Sequence, residues 1–212
     1  MHRLIITSLL SLLLSPAISL AASQEQLLQE LQNRWVILSY QSTDMEKKEK
    51  LAAFEVLSKE TEQAVAQYPT SAGLLILKGT ILTSWADAQG GTDGWALAER
   101  AKATLEQSIS TNPKALEGLG YASLGRLYHQ TPSWPLSFGS DKKAEALLKQ
   151  ALSMNPDGFE SNYFYGYFLM EEKRYGEART MLEKALKAPS RPGQTKVDDF
   201  RRDEVRKLLA KF

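Results

Sequence analysis

The chain has 212 residues, with 26 Lys and Arg against 25 Asp and Glu, and no cysteine. A balanced charge gives no support to nucleic-acid binding or to a polybasic membrane contact. The lack of cysteine excludes a disulfide framework, thiolate metal sites and lipid attachment through a thioether, so packing alone must stabilise the fold.

Residues 1–21 read as a secretory signal peptide. Arg3 supplies the positive start, an uncharged apolar stretch follows, and Ser19-Leu20-Ala21 offers the small residues a signal peptidase needs. Pro16 and several serines break the stretch, which is short for a span of ~20 apolar residues. The expectation is a soluble periplasmic or secreted protein with no stable membrane insertion after cleavage. Roughly 190 residues remain, enough for one domain or one short solenoid. Arg3 is the only charged residue removed, so the mature chain carries equal positive and negative charge.

Residues 22–70 read as an N-terminal helical hairpin, either a degenerate repeat or a cap. Leu27, Leu28, Leu31, Trp35 and Leu38 recur at helical spacing over 24–41. Thr43 with Glu46 fits a capping box that opens a second helix. Leu51, Phe54, Leu57, Thr61, Ala64 and Tyr68 form its apolar stripe, and Pro69 ends it.

The rest, 71–192, is periodic. Pro69, Pro113, Pro156 and Pro189 mark the ends of successive hairpins, 24–69, 72–113, 115–156 and 159–189. Each later hairpin carries a glycine on its first helix (Gly79, Gly125, Gly166) and an alanine–leucine pattern on its second. The small residues let two helices approach closely, and the proline stops the second one. Two stretches exceed a simple hairpin, "ADAQGGTDGW" (86–95) and "QTPSWPLSFGS" (130–140). Both fall between the helices of a hairpin, so both are expected as loops on one edge of the solenoid. Their aromatics Trp95, Trp134 and Phe138 are candidate contacts, either as a lid or as a brace. A capping helix is expected within 193–212, at 198–212. It has Phe200, Val205, Leu208, Leu209 and Phe212 on one side and charges on the other.

"LGRLY" (124–128) carries the L-G-x-x-Y core as it stands, and "NYFYGYFLMEEKRYGEARTMLEKALKAP" (162–189) has the two-helix pattern in full. On these residues the chain resembles the tetratricopeptide repeat family across about 72–192. The match is fullest at 159–192, interrupted at 118–156 and sparser at 72–113. The resemblance implies an all-α fold, a solenoid of antiparallel helix hairpins. It implies that the first helix of each hairpin lines a concave binding surface. Carried over residue by residue, those positions are Thr80, Thr83 and Ser84, then Arg126, His129 and Gln130, then Tyr163, Tyr167 and Glu171. A secreted repeat protein with intra-hairpin insertions is also similar in architecture to the tetratricopeptide component that accompanies TRAP-type solute transporters.

Enzyme signatures are absent. "GYASLG" (120–125) has the wrong spacing for a nucleophile elbow, and no phosphate loop or H-E-x-x-H occurs. Asp198-Asp199 and Glu171-Glu172 are carboxylate pairs only formally, because adjacent helical residues point apart. The expectation is therefore no catalytic residue, no metal and no cofactor. The leading reading is a protein that binds an envelope protein or peptide segment. The alternative is an accessory subunit of a solute transporter, binding a small ligand or its receptor.

Overall fold

The computed structural model describes residues 23–40, 44–190 and 195–211; residues 1–21, expected to be a signal peptide, and Thr43 and Phe212 lie outside these. The described residues form nine α-helices and no strand, in four hairpins and a final helix. The hairpins are α1 (Gln24–Tyr40) with α2 (Lys47–Gln67), α3 (Ala72–Gln89) with α4 (Gly91–Thr111), α5 (Leu119–Gln130) with α6 (Asp141–Met154), and α7 (Phe159–Glu171) with α8 (Tyr175–Lys187). The last helix is α9 (Thr195–Leu209), which begins three residues earlier than its periodicity suggests. A short 3-10 turn, Ala115–Gly118, leads into α5.

Three glycine–leucine contacts explain why the hairpins close. A Cβ placed on Gly79 would stand 2.5 Å from Leu105 Cγ. On Gly125 it would stand 2.8 Å from Leu148 Cγ, and on Gly166 2.9 Å from Leu182 Cγ. Each leucine is fully buried. The first helix of each hairpin thus accepts a leucine of the second into the space a side chain would fill, and the backbones approach more closely than two Ala-bearing helices can. Each second helix of these hairpins, and α2 as well, ends two residues before a proline. That is the stop the ring imposes on the residues preceding it.

Side-chain caps begin three of the described helices. At α1, Ser23 Oγ accepts the Gln26 N–H while Gln26 Oε1 accepts the Ser23 N–H. Ser71 Oγ accepts the Leu74 N–H, and Ser140 Oγ accepts the Lys143 N–H. The expected capping box at α2 is not what opens that helix. α2 begins at Lys47, Glu46 is its N-cap residue rather than its third helical residue, and no side chain caps it.

The first insertion is not a loop. Residues 86–95 extend α3 and begin α4, and the chain reverses at Gly90 and Gly91, both at positive φ (69° and 59°). Two glycines make the turn so compact that a longer hairpin absorbs the extra residues. Gly94 completes it, because a Cβ there would press against Ala86 O at 2.7 Å. The second insertion does form a loop between α5 and α6, held by the Gly139 N–H donating to Pro132 O.

The first helices, α1, α3, α5 and α7, lie side by side as one layer, and each outer helix packs between its own partner and the next first helix. The winding is tight. α9 packs on α8 and also reaches α1, at the opposite end of the row. Residues of α1, α3, α5, α7 and α9 meet around one inner space of only about 30 Å³. α9 therefore does more than cap the last hairpin: it crosses the inner face. Its Val205 and Leu208 are buried with Phe159, Leu182 and Ala185, and Arg202 Nη2 donates to Ala188 O past the end of α8.

Candidate functional site

Beside α9 the inner face opens into a cavity of about 140 Å³. Arg126, His129 and Gln130 from the last turns of α5 line one wall, and Tyr163 and Tyr167 from α7 another. Phe164, Phe168 and Leu148 supply its apolar lining, and Glu204 of α9 its remaining carboxylate. Five of the six groove residues expected from the sequence thus converge. Glu171 does not join them. It lines a separate, wider hollow with Lys173, Tyr175, Arg179 and Lys211.

Arg126 also borders a second cavity of about 290 Å³, with Ser39, Lys50, Phe54, Ser84, Asp87 and Ala88. Its guanidinium lies 5.6 Å from the centre of the Phe164 ring and 3.3 Å from Asp87 Oδ2. The flat cation is thus positioned by an aromatic face on one side and a carboxylate on the other. Asp87 stands in the concavity with its side chain 45% exposed. The surrounding helices still strip enough water from it to raise its pKa above the ordinary carboxylate value, a desolvation that Arg126 only partly offsets. Two hydroxyls complete this wall. Ser84 Oγ accepts the Trp35 Nε1–H at 3.0 Å. Ser39 Oγ is buried without a hydrogen-bond partner.

The two tyrosines are both wall and support. Tyr163 stacks on Phe159 at 5.6 Å, and Tyr163 and Tyr167 both pack against the cluster that seats Val205 and Leu208. Burial, with Glu171 nearby, raises the Tyr167 phenol above its usual range. Tyr165, on the same helix, points the other way, toward the outer helices. Its hydroxyl donates to Glu145 Oε1, and Arg174 and Lys149 also bind that carboxylate. Their hydrogen bonds hold Glu145 at a pKa of about 2.

The positions carried over to α3 fare differently. Thr83 is buried and donates to Gly79 O. Thr80 donates to Ile76 O and borders the closed inner space. Only Ser84 reaches a cavity. Among the aromatics of the insertions, Trp95 sits half-buried in the first turns of α4 and is no loop contact. Phe138 braces the second loop. It meets the Tyr128 ring edge-on at 5.3 Å, with Lys102 Nζ 4.2 Å from its centre. Trp134 is 86% exposed and points away from the fold.

His129 Nδ1 lies 2.8 Å from Asp141 Oδ1 and its ring meets Phe168 edge-on, so the pair ties the base of the second loop. With Glu172 they bring one imidazole and two carboxylates within 4.8 Å of one another. That donor set suits a borderline divalent cation in chemistry, but both carboxylates are exposed, as solvated acids commonly are.

Lys50, Asp87, Ser39 and Glu204 are the site residues that sequence reasoning missed. Asp87 is 39 residues from Arg126, and nothing in "ADAQGG" distinguishes it from a solvated helix acid. Glu204 needs α9 folded across the inner face, which no local pattern announces.

Residues 141–191 match the family model described as Tetratricopeptide repeat. A solved structure of a thermophilic tetratricopeptide-repeat protein from Thermus thermophilus is similar with a TM-score of 0.54 at 18% identity, over 82% of this chain and 98% of that one. The fold is that of a tetratricopeptide-repeat solenoid. No curated protein matches the sequence. The tetratricopeptide match spans α6, α7 and α8, and so contains the Gly166–Leu182 contact and the two cavity tyrosines. Among the described residues no helix is long and apolar enough to cross a membrane.

Proposed function

We propose that this chain is a non-enzymatic periplasmic scaffold that binds an envelope protein, or a segment of one, at the inner face beside Arg126. Tetratricopeptide solenoids serve as protein-interaction surfaces, and the apolar start of the sequence supports export. The observation that carries the site is Arg126 itself. It stands between two adjoining cavities whose walls offer rings, hydroxyls, a second cation and two carboxylates. That mixture suits a peptide segment with apolar side chains and a polar backbone better than a single small solute.

The accessory-subunit reading calls for a pocket roofed by both insertions. The first insertion is helical and contributes Asp87 and Ala88 to a wall, and the loop residues 131–139 line neither cavity. This favours the scaffold.

The test is affinity capture from periplasmic extract, followed by titration calorimetry with the captured protein. Arg126→Ala should weaken binding by about ten- to hundredfold, the equivalent of ~1–3 kcal/mol for a hydrogen bond to a charged group. Tyr167→Phe should weaken it less and keep the packing that Tyr167→Ala would remove. Wild-type affinity in both variants would move the site away from Arg126.

A further inference from the structure

We infer that α9 is a resident ligand of the inner face, and that the trough beneath it is an interaction surface for a partner's amphipathic helix of the same chemistry. The inference rests on the scaffold reading above and names the kind of partner. Arg201, Val205 and Leu208 are buried at 5%, 0% and 7% exposure, at positions i, i+4 and i+7 of α9. That is the anchor spacing with which a helix lies in a groove.

The trough is matched to those anchors. Glu160 of α7, itself largely buried, forms an ion pair with Arg201 Nη1. The guanidinium lies 5.6 Å from the centre of the Trp35 ring and 5.8 Å from that of Phe159. Glu160 and two rings from opposite ends of the solenoid thus bind one arginine, and a lysine could not stack and fork in the same way. Phe159, Leu182 and Ala185 receive the two aliphatic anchors. Among the described residues, Val205 and Leu208 are the only apolar side chains of α9 that are fully buried, and Asp199, Asp203, Arg206 and Lys207 leave one face of the helix open to solvent. Few buried apolar contacts mark an element that opens locally. An incoming helix with arginine at i and aliphatic residues at i+4 and i+7 would find the seat already shaped, and would compete with α9 for it.

The test uses a fluorescein-labelled peptide of residues 195–211, read by anisotropy against the full mature chain. In wild type the resident helix competes, so binding in trans is weak. In the chain carrying Arg201→Ala the native peptide should bind at least tenfold more tightly. A peptide with Arg201→Lys should lose most of that gain. Equal binding to both chains, or none to either, would overturn the proposal. Hydrogen exchange of the wild-type chain keeps the test independent of any variant's folding. Amides of α9 should exchange by local release, ahead of those of α7 and α8. Exchange of α9 only with global unfolding would refute a displaceable helix. Neither measurement uses an external partner or Arg126, so failure here and failure of the Arg126 site are separate outcomes.

Discussion

The Gly79–Leu105 contact allows the packing logic of the hairpins to be tested by a change of one methyl group. Ordinary carbon contacts lie near ~3.5–4.0 Å. A Cβ on Gly79 would stand 2.5 Å from Leu105 Cγ and 2.7 Å from Cδ2, so something must move by about 1 Å. Leu105 is fully buried and has nowhere to retreat, so α3 and α4 must separate. Overpacking of this kind costs ~1–3 kcal/mol, and alanine returns ~1 kcal/mol of helix propensity over glycine. Gly79→Ala should therefore destabilise by about 0–2 kcal/mol. Gly176→Ala is the same change with nothing within 4 Å, and should stabilise by up to ~1 kcal/mol. Urea unfolding followed by circular dichroism should separate the two variants by ~1–3 kcal/mol, or several degrees in Tm at ~2–4 °C per kcal/mol for a chain of this size. Leu105→Ala alone should cost ~2–5 kcal/mol, but on that background Gly79→Ala should become stabilising, because the space it needs is now there. If Gly79→Ala is as benign as Gly176→Ala, or if its effect is the same with and without Leu105, the glycine–leucine seat is not what sets the approach of these helices.

Two further outcomes follow from the site and the second insertion. Asp87 has a folded-state pKa raised above 3.8, so it favours the fold while protonated and loses that contribution as pH rises through the raised value. Asp87→Asn should accordingly raise Tm at pH 7, with the gain shrinking toward zero below pH 3.8; a variant that is less stable at pH 7 would show that the Arg126 pairing outweighs the desolvation. Phe138→Ala should cost about 1–3 kcal/mol in thermal or urea unfolding, less than the ~3–5 kcal/mol of a fully buried Phe, whereas Trp134→Ala should stay within ~0.5 kcal/mol. Equal effects of the two would mean the loop is not braced through Phe138.

What the sequence makes legible is what it encodes locally. Pro69, Pro113, Pro156 and Pro189 each stand two residues beyond a helix end because the constraint acts on neighbouring residues. Gly125 and Gly166 are readable as packing positions because a glycine on a helix face at that spacing leaves a gap only a partner helix can fill. The 86–95 stretch reads as a loop, wrongly, for an equally local reason. Gly90 and Gly91 look like loop composition, but two positive-φ residues can reverse a chain with no loop at all. The sequence misplaces the start of α2 because a Thr-x-x-Glu pattern fits many turns.

The inner face obeys a different rule. Whether Arg126, His129, Tyr163 and Tyr167 share a wall depends on neighbouring first helices keeping one register, and the repeat pattern carries that. Whether Tyr167 faces a free groove or the underside of α9 depends on how far four hairpins wind, a sum of small rotations that no single segment specifies. Arg201 makes the point. In sequence it is one of five basic residues among "KVDDFRRDEVRKLL", with nothing to separate it from Arg202. In the fold it is buried between Trp35 and Phe159, residues more than a hundred positions apart, while Arg202 reaches the end of α8. A short repeat array whose first and last helices meet can therefore carry its partner specificity in residues that only the closed winding brings together.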